Sequence, residues 1–227
     1  MNNCFPLESK YNLLRERVKR IYDEHWGNYP TSHDYLHVER VLNNAMKIAL
    51  HENLSEINLH LLKIACLLHD IAIPIYGVKK DHAEISSLTA RKILAEFNFN
   101  PHHTDIICNA IREHSWSKAR KPTNKISAIL QDADRLDSLG VIGLIRMVIY
   151  GEYKKRKLYF QGEPIPESRV IDDSLYTLDH LFKKLINIPK MMNTYIGRRL
   201  ADERIKRLLN LVDALKEEIK PFTLKFS

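Results

Sequence analysis

Apolar side chains return along this chain every three or four residues, and sustained alternation of apolar with polar positions is absent. Tyr11, Leu14, Val18, Ile21 and Tyr22 predict a first helix over about residues 7–26. Trp26-Gly27-Asn28-Tyr29-Pro30 breaks it, and Val41, Ala45 and Ile48 mark one face of a second helix from Leu36 to Glu52. Ser55 is a good N-cap for a third, whose stripe runs Leu61, Leu62, Ala65, Leu68. Pro74 is expected to end that helix at His69-Asp70.

Asp81 and Glu84 have capping-box spacing ahead of Ile85, Leu88, Ile93 and Leu94. Asn100-Pro101 reads as N-cap and first helical residue of the next helix, with Ile107, Ala110 and Ile111 on its inner face. Ser115 to Asn124 is polar and predicts a loop. Ile126, Ile129, Leu130, Ala133 and Leu136 mark another helix, and Leu139 to Tyr150 one more. Gly162, Pro164 and Pro166 make Gly151 to Ser174 the least regular stretch; two long helices, about 174–188 and 190–220, are expected to close the chain. The pattern predicts an all-α, single-domain fold.

Composition agrees. Of 227 residues 44% are hydrophobic, enough for a buried core, and seven glycines are few for a hairpin-rich fold. No run approaches the apolar length of a membrane span and no signal-peptide pattern opens the chain, so a cytoplasmic protein is expected. Cys4, Cys66 and Cys108 lack zinc-ligand spacing and read as small hydrophobes or unpaired thiols. The net charge of +7, with basic runs at Lys79-Lys80, Lys118 to Lys125 and Lys154 to Lys157, favours a polyanionic ligand: a nucleotide, another phosphate ester, or nucleic acid.

Four places put metal-ligand residue types at helix ends or on inner faces. His33 and His37 are four apart. His69-Asp70 ends so apolar a helix that an imidazole and a carboxylate there need partners. Asp132, Asp134 and Asp137 fall within six residues on an otherwise apolar helix, with Arg135 able to neutralise one. His82 begins one helix, and His114 ends another while extending an inward stripe.

In order, His37-Val38-Glu39-Arg40-Val41, then Leu67-Leu68-His69-Asp70-Ile71, then Ala133-Asp134-Arg135-Leu136-Asp137 resembles the H…HD…D signature of the HD superfamily. Asp81-His82-Ala83 with Ser86, Ile111 to Ser115, Gly140 and Gly143, and the tail from His180 through Ala201 are similar to the small stand-alone bacterial HD phosphohydrolases. The resemblance is weakest over 151–173.

It implies an HD-domain bundle of about eight to ten helices, a catalytic core over about 30–150, and C-terminal helices over about 174–220 covering the pocket. It implies one divalent metal held by His37, His69, Asp70 and Asp134, with Asp132 the rival for the fourth place and Asp137 a partner of Arg40 or Arg135. Such a mixed nitrogen and oxygen set suits Mn²⁺ first, then Fe²⁺, Co²⁺, Ni²⁺ or Zn²⁺, ahead of Mg²⁺. Asp70 becomes the expected base toward water, with His82 and His114 beside it for phosphate contact or leaving-group protonation. In the related HD-GYP phosphodiesterases, histidines at similar places hold a second metal, but Ser115 stands here where those enzymes have another histidine. Lys184, His180, Arg112, Lys79 and Lys80 are candidate substrate contacts.

The activity implied is hydrolysis of a phosphoester or phosphoanhydride, foremost a nucleoside triphosphate to monophosphate and pyrophosphate, by a monomer or homodimer. Relatives that hydrolyse guanosine tetraphosphate carry an acidic pair where this chain has Ile73 and Pro74, which counts against that substrate. A metal-dependent nuclease acting on single strands is the alternative, and a non-catalytic nucleotide-binding module the second. A pocket would favour the first reading, and an open groove running into the basic segments the nuclease.

Overall fold

A computed structural model describes residues 7–77, 80–116 and 120–219. Among them are ten α-helices: α1 (Leu7–Glu24), α2 (Tyr35–Ala49), α3 (Glu56–Leu68), α4 (Ala72–Tyr76), α5 (His82–Glu96), α6 (Pro101–Glu113), α7 (Lys125–Asp137), α8 (Gly140–Tyr153), α9 (Asp179–Lys183) and α10 (Tyr195–Glu218). Short 3₁₀ turns at Thr31–His33 and Leu185–Met191 join them, and the β structure among the described residues is one isolated bridge between Lys157 and Tyr176. The all-α expectation holds.

Local chemistry explains the helix starts. Ser55 accepts a hydrogen bond from the Asn58 N–H, and Asn100 from the N–H groups of His102 and His103 with Pro101 inside the first turn. Asp34 caps α2 by accepting from the His37 N–H, which also fixes where His37 leaves the helix. The capping box at Asp81 does not form: Glu84 reaches across to Arg112 and Arg120 instead of back to the helix start.

Two boundaries differ from expectation. Pro74 lies within the first turn of the short helix α4, where a missing N–H is tolerated, and α3 ends at Leu68, so that His69 and Asp70 sit in the turn between two helices. The expected long helix over 174–188 is instead α9 followed by the 3₁₀ segment; Pro189 has no N–H to donate and its ring opposes a continuous α-helix ahead of it.

The core is continuous. α2 lies against α7 and α3, α6 against α5, α3 and α7, and α10 against α7, α8 and the Leu185–Met191 turn. Leu14, Val18, Leu62, Leu67, Leu94, Ile111, Leu130 and Leu136 are fully buried in it. Against the expectation from the sequence, the stretch Glu56–Tyr76 is long and apolar enough to cross a membrane by length and composition alone; here 72% of its apolar window is buried within the bundle. Cys66 and Cys108 are free and buried, and Cys4 lies outside the described residues.

The irregular stretch before α9 is tied down by charge. Arg169 lies 5.3 and 5.5 Å from the ring centres of Phe160 and Tyr176, and its guanidinium grips the buried Asp179 at 2.5 and 2.6 Å. That clamp sets where α9, with His180, meets the rest of the bundle.

Candidate active site

The turn after α3 is the centre of the site. His69 and Asp70 are buried there, and imidazoles from four other segments converge on the Asp70 carboxylate. Its Oδ2 lies 3.1 Å from His33 Nδ1, 3.5 Å from His69 Nε2 and 3.6 Å from His37 Nε2. Its Oδ1 faces His114 Nε2 at 3.4 Å and His82 Nε2 at 3.8 Å. Asp134 enters from α7 and places Oδ1 3.5 Å from His37 Nε2. His37, His69 and Asp134 offer ligand atoms within 4.8 Å of one another, as do His69, Asp70 and His114, and His33, His37 and Asp70.

Each buried ring is oriented from behind. His37 Nδ1 donates to Asp137 Oδ2 at 2.8 Å, His69 Nδ1 to the Cys66 carbonyl at 2.8 Å, and His114 Nδ1 to the Ile111 carbonyl at 2.6 Å. An imidazole that donates through Nδ1 presents a lone pair at Nε2, the form a metal takes. Yet the Nε2 atoms of His37 and His69 stand 3.1 Å apart, and Asp70 Oδ1 is buried without a hydrogen bond. Two lone pairs and an orphaned carboxylate oxygen, all directed at one point, fit a divalent cation with mixed nitrogen and oxygen donors.

The electrostatics follow. Burial pushes the His69 imidazole down to about 4. Burial opposes ionisation of Asp70 as well, but His69, His114, His33 and His37 hold its carboxyl well below the usual carboxylate range. Asp137 is driven down to about 2: burial works against this, but the His37 hydrogen bond and the Arg146 and Arg40 charges outweigh it. Asp70 and Asp137 are therefore held as carboxylates in a desolvated site.

Asp132 faces away from this cluster. Fully buried, it accepts from the N–H groups of Asn193 and Thr194 at 2.8 to 3.1 Å and from the Thr194 hydroxyl at 2.7 Å. It anchors the start of α10, and Asp134 is the α7 carboxylate that meets the histidines. Arg40 partners Asp137 as expected, together with Arg146, whereas Arg135 donates to the Met191 carbonyl.

Beside the cluster opens a cavity of about 480 Å³, lined in part by Asp134, His33, His82, Trp116 and Tyr150. Lys80, His180 and Lys184 line it too; Lys184 leaves helical geometry just after α9, so His180 and Lys184 converge on the cavity without a continuous helix. Arg112 does not line it, because Glu84 and Asn109 hold its guanidinium elsewhere. Lys79 lies outside the described residues. The cavity also receives Arg146, Lys154 and Arg156, and His33 reaches Asp70 from the turn before α2. From the sequence, Arg146 had no role, His33 was only one of a histidine pair, and Lys154 and Arg156 were only part of a basic run. Arg146, the one basic residue on the apolar helix α8, and His33, four residues before His37, were the available signals.

Comparison with known proteins agrees with this geometry. Residues 34–139 match the family model of the HD domain. YpgQ, an uncharacterized protein of Bacillus subtilis (strain 168), is 30% identical over 194 residues, which cover 83% of this chain and 85% of YpgQ. The crystal structure of YpgQ in complex with ADP superposes with a TM-score of 0.72 at 26% identity, covering 93% of this chain and 96% of that one. A predicted HD superfamily hydrolase from an uncultured Thermotogales bacterium gives a TM-score of 0.60 at 27% identity, covering 90% and 92%. With the His and Asp cluster lying inside the matched region, this chain belongs to the HD-domain superfamily of metal-dependent phosphohydrolases.

Proposed function

We propose that this chain hydrolyses nucleoside triphosphates to the monophosphate and pyrophosphate, with Mn²⁺ as the working ion. One observation carries the reading. The cavity that opens from the ligand cluster is lined by six basic side chains, Lys80, Arg135, Arg146, Lys154, Arg156 and Lys184, against one carboxylate, Asp134. Such a lining selects a ligand with several negative charges close together, and its volume suits a small molecule. The ADP bound to YpgQ supports a nucleotide as that ligand.

His37, His69, Asp70 and Asp134 would hold the ion. When bound, it supplies Lewis-acid activation of water near neutral pH and neutralises a phosphoryl oxygen. The chain's own groups do the rest. Asp70 Oδ1, which makes no hydrogen bond within the protein, accepts a proton from the attacking water. The water oxygen joins the α-phosphorus, the bond from that phosphorus to the bridging oxygen breaks, and its electron pair leaves with pyrophosphate. His82, at the cavity wall, is placed to donate to a phosphoryl or leaving oxygen; His114, which flanks the same Asp70 oxygen but does not line the cavity, would donate only as the imidazolium, a form that burial opposes and the Asp70 contact favours. Residues of about 30–150 form the catalytic core in this reading, and the stretch from His180 to Ile188 closes the cavity over it.

The nuclease reading required a groove running into both basic segments. Lys154 and Arg156 turn into the cavity, while Arg120 pairs with Glu84 and Lys125 donates to the Glu52 carbonyl, which favours the small-molecule substrate. The test is product analysis on Mn²⁺-loaded protein with nucleoside triphosphates, diphosphates and a single-stranded oligonucleotide. Monophosphate and pyrophosphate in equal amounts are expected from triphosphates. Release of inorganic phosphate, or faster cleavage of the oligonucleotide, would overturn the reading.

A further inference from the structure

Several cations along the middle of this chain face a carboxylate: Arg40 meets Asp137, Arg112 and Arg120 meet Glu84, Arg169 meets Asp179, and Lys183 meets Asp173. Four that line the cavity, Lys80, Lys154, Arg156 and Lys184, do not, and the last three share a further feature. Among the described residues, no carboxylate lies within ion-pair distance of Lys154, Arg156 or Lys184, and each rests on an aromatic ring instead. Lys154 Nζ stands 5.5 Å from the centre of Tyr150 and 5.3 Å from that of Tyr153, the Arg156 guanidinium 6.0 Å from Tyr150, and Lys184 Nζ 4.9 Å from Trp116. Cation–π contact steadies a positive group without neutralising it. The acid on this side, Asp173, is already held by His180 Nδ1 at 3.0 Å and Lys183 Nζ at 2.6 Å.

The backbone is arranged to make this grouping. Lys154 closes α8, Lys155 stands in the left-handed region at φ 57°, and the Arg156 N–H returns to the Gly151 carbonyl at 2.9 Å. A lysine in that conformation is strained by roughly 1 kcal/mol. The turn brings Arg156 back to the Tyr150 ring that Lys154 also faces, while Lys155 points outward to Glu152. Tyr150 in turn packs against His33, with ring centres 6.0 Å apart, and His33 touches Asp70. Lys154 and Arg156 thus lie one aromatic ring beyond His33, and Lys184 lines the same cavity on Trp116. Burial lowers the pKa of the Lys184 ammonium, with Asp134 pulling the other way and Arg146 and Arg156 adding to the lowering, so this lysine feels both ends of the cavity.

We propose that Lys154, Arg156 and Lys184, held on Tyr150 and Trp116, form a diphosphate subsite that takes the β- and γ-phosphates and retains them as departing pyrophosphate. The subsite, and with it a preference for triphosphates over diphosphates, rests on the pyrophosphohydrolase reading above. Lys184 alone was a candidate phosphate contact from the sequence; Lys154, Arg156 and the two rings are added by the structure.

The probe is inorganic pyrophosphate, titrated calorimetrically into the full-length, Mn²⁺-loaded protein. The double variant Lys154→Gln/Arg156→Gln should bind it at least tenfold more weakly, and Lys154→Gln alone, at an exposed side chain, about threefold more weakly. Lys155→Gln removes a neighbouring charge that points away and should bind within twofold of the parent. In turnover, the kcat/KM ratio of triphosphate to diphosphate should fall at least tenfold in the double variant. Pyrophosphate binding within threefold of the parent in the double variant, or an equal loss in Lys155→Gln, overturns the subsite. Should the parent release no pyrophosphate from triphosphates, the pyrophosphohydrolase reading fails, and the titration still decides the subsite by itself.

Discussion

The Nε2 atoms of His37 and His69 lie 3.1 Å apart, although the Nδ1 of each ring already donates, to Asp137 and to the Cys66 carbonyl. Two lone pairs at that distance repel unless a proton or a metal ion stands between them. Mn²⁺ at a hundredfold excess over its dissociation constant should therefore stabilise the fold by about 2.7 kcal/mol. For a chain of this size that raises Tm by roughly 5–10 °C. His69→Ala should abolish the rise and reduce bound metal, measured by elemental analysis, to background. An unchanged rise would place the ion elsewhere.

Asp70→Asn preserves the shape of the carboxylate and removes its charge. It should lower kcat by about 10²–10⁴-fold, the range of a lost base, and weaken metal binding in the same variant. Wild-type turnover in Asp70→Asn would remove this residue from the chemistry.

Asp132 and Gly197 act as a structural pair. A Cβ on residue 197 would stand 2.5 Å from Asp132 Oδ2 and 2.6 Å from Thr194 Oγ1. Gly197→Ala should cost about 1–3 kcal/mol of stability, and Asp132→Ala about 3 kcal/mol by stranding buried donors. Because both loosen the same contact, the double variant should lose less than the two separate losses combined, by denaturant melts. Both should keep stoichiometric metal, since neither residue faces the cluster.

Asp137 offers a pH test. Its folded pKa, about 2, lies below the ordinary carboxylate value, so its contribution to stability is complete above that ordinary value and vanishes as pH falls through about 2. Asp137→Asn should be less stable than the parent by about 2–3 kcal/mol near neutrality. The difference should shrink steadily as pH drops from about 4 toward about 2. A gap independent of pH would mean that shape, not charge, is what Asp137 contributes.

How much of this was legible beforehand differs between elements. Helices α1 to α3 and α5 to α8 follow from apolar spacing and caps such as Ser55 and Asn100, because those signals are local and the caps satisfy nearby backbone groups. The stretch from Asp172 to Met191 was not legible as its final form. Its apolar spacing suits a helix, but the Asp179–Arg169 clamp and Pro189 divide it. Arg112 shows the same limit at the site: its charge and position match a phosphate contact, and only its neighbour Glu84 removes it from the cavity.

The sequence by itself determined the helical class, the order of the histidine and aspartate segments, and their resemblance to one superfamily, since all three reside in residue types and short spacings. It left Asp132 and Asp134 as rivals, it was silent on Arg146, and it gave Lys154 and Arg156 only as part of a basic run. Packing decided those. Residues two apart on a helix point about 200° from each other, so once α7 was seated against α2, one carboxylate faced His37 and the other α10. Which cations remain without an acid is likewise settled only when distant segments are brought together, because a charge is neutralised by its neighbour in space.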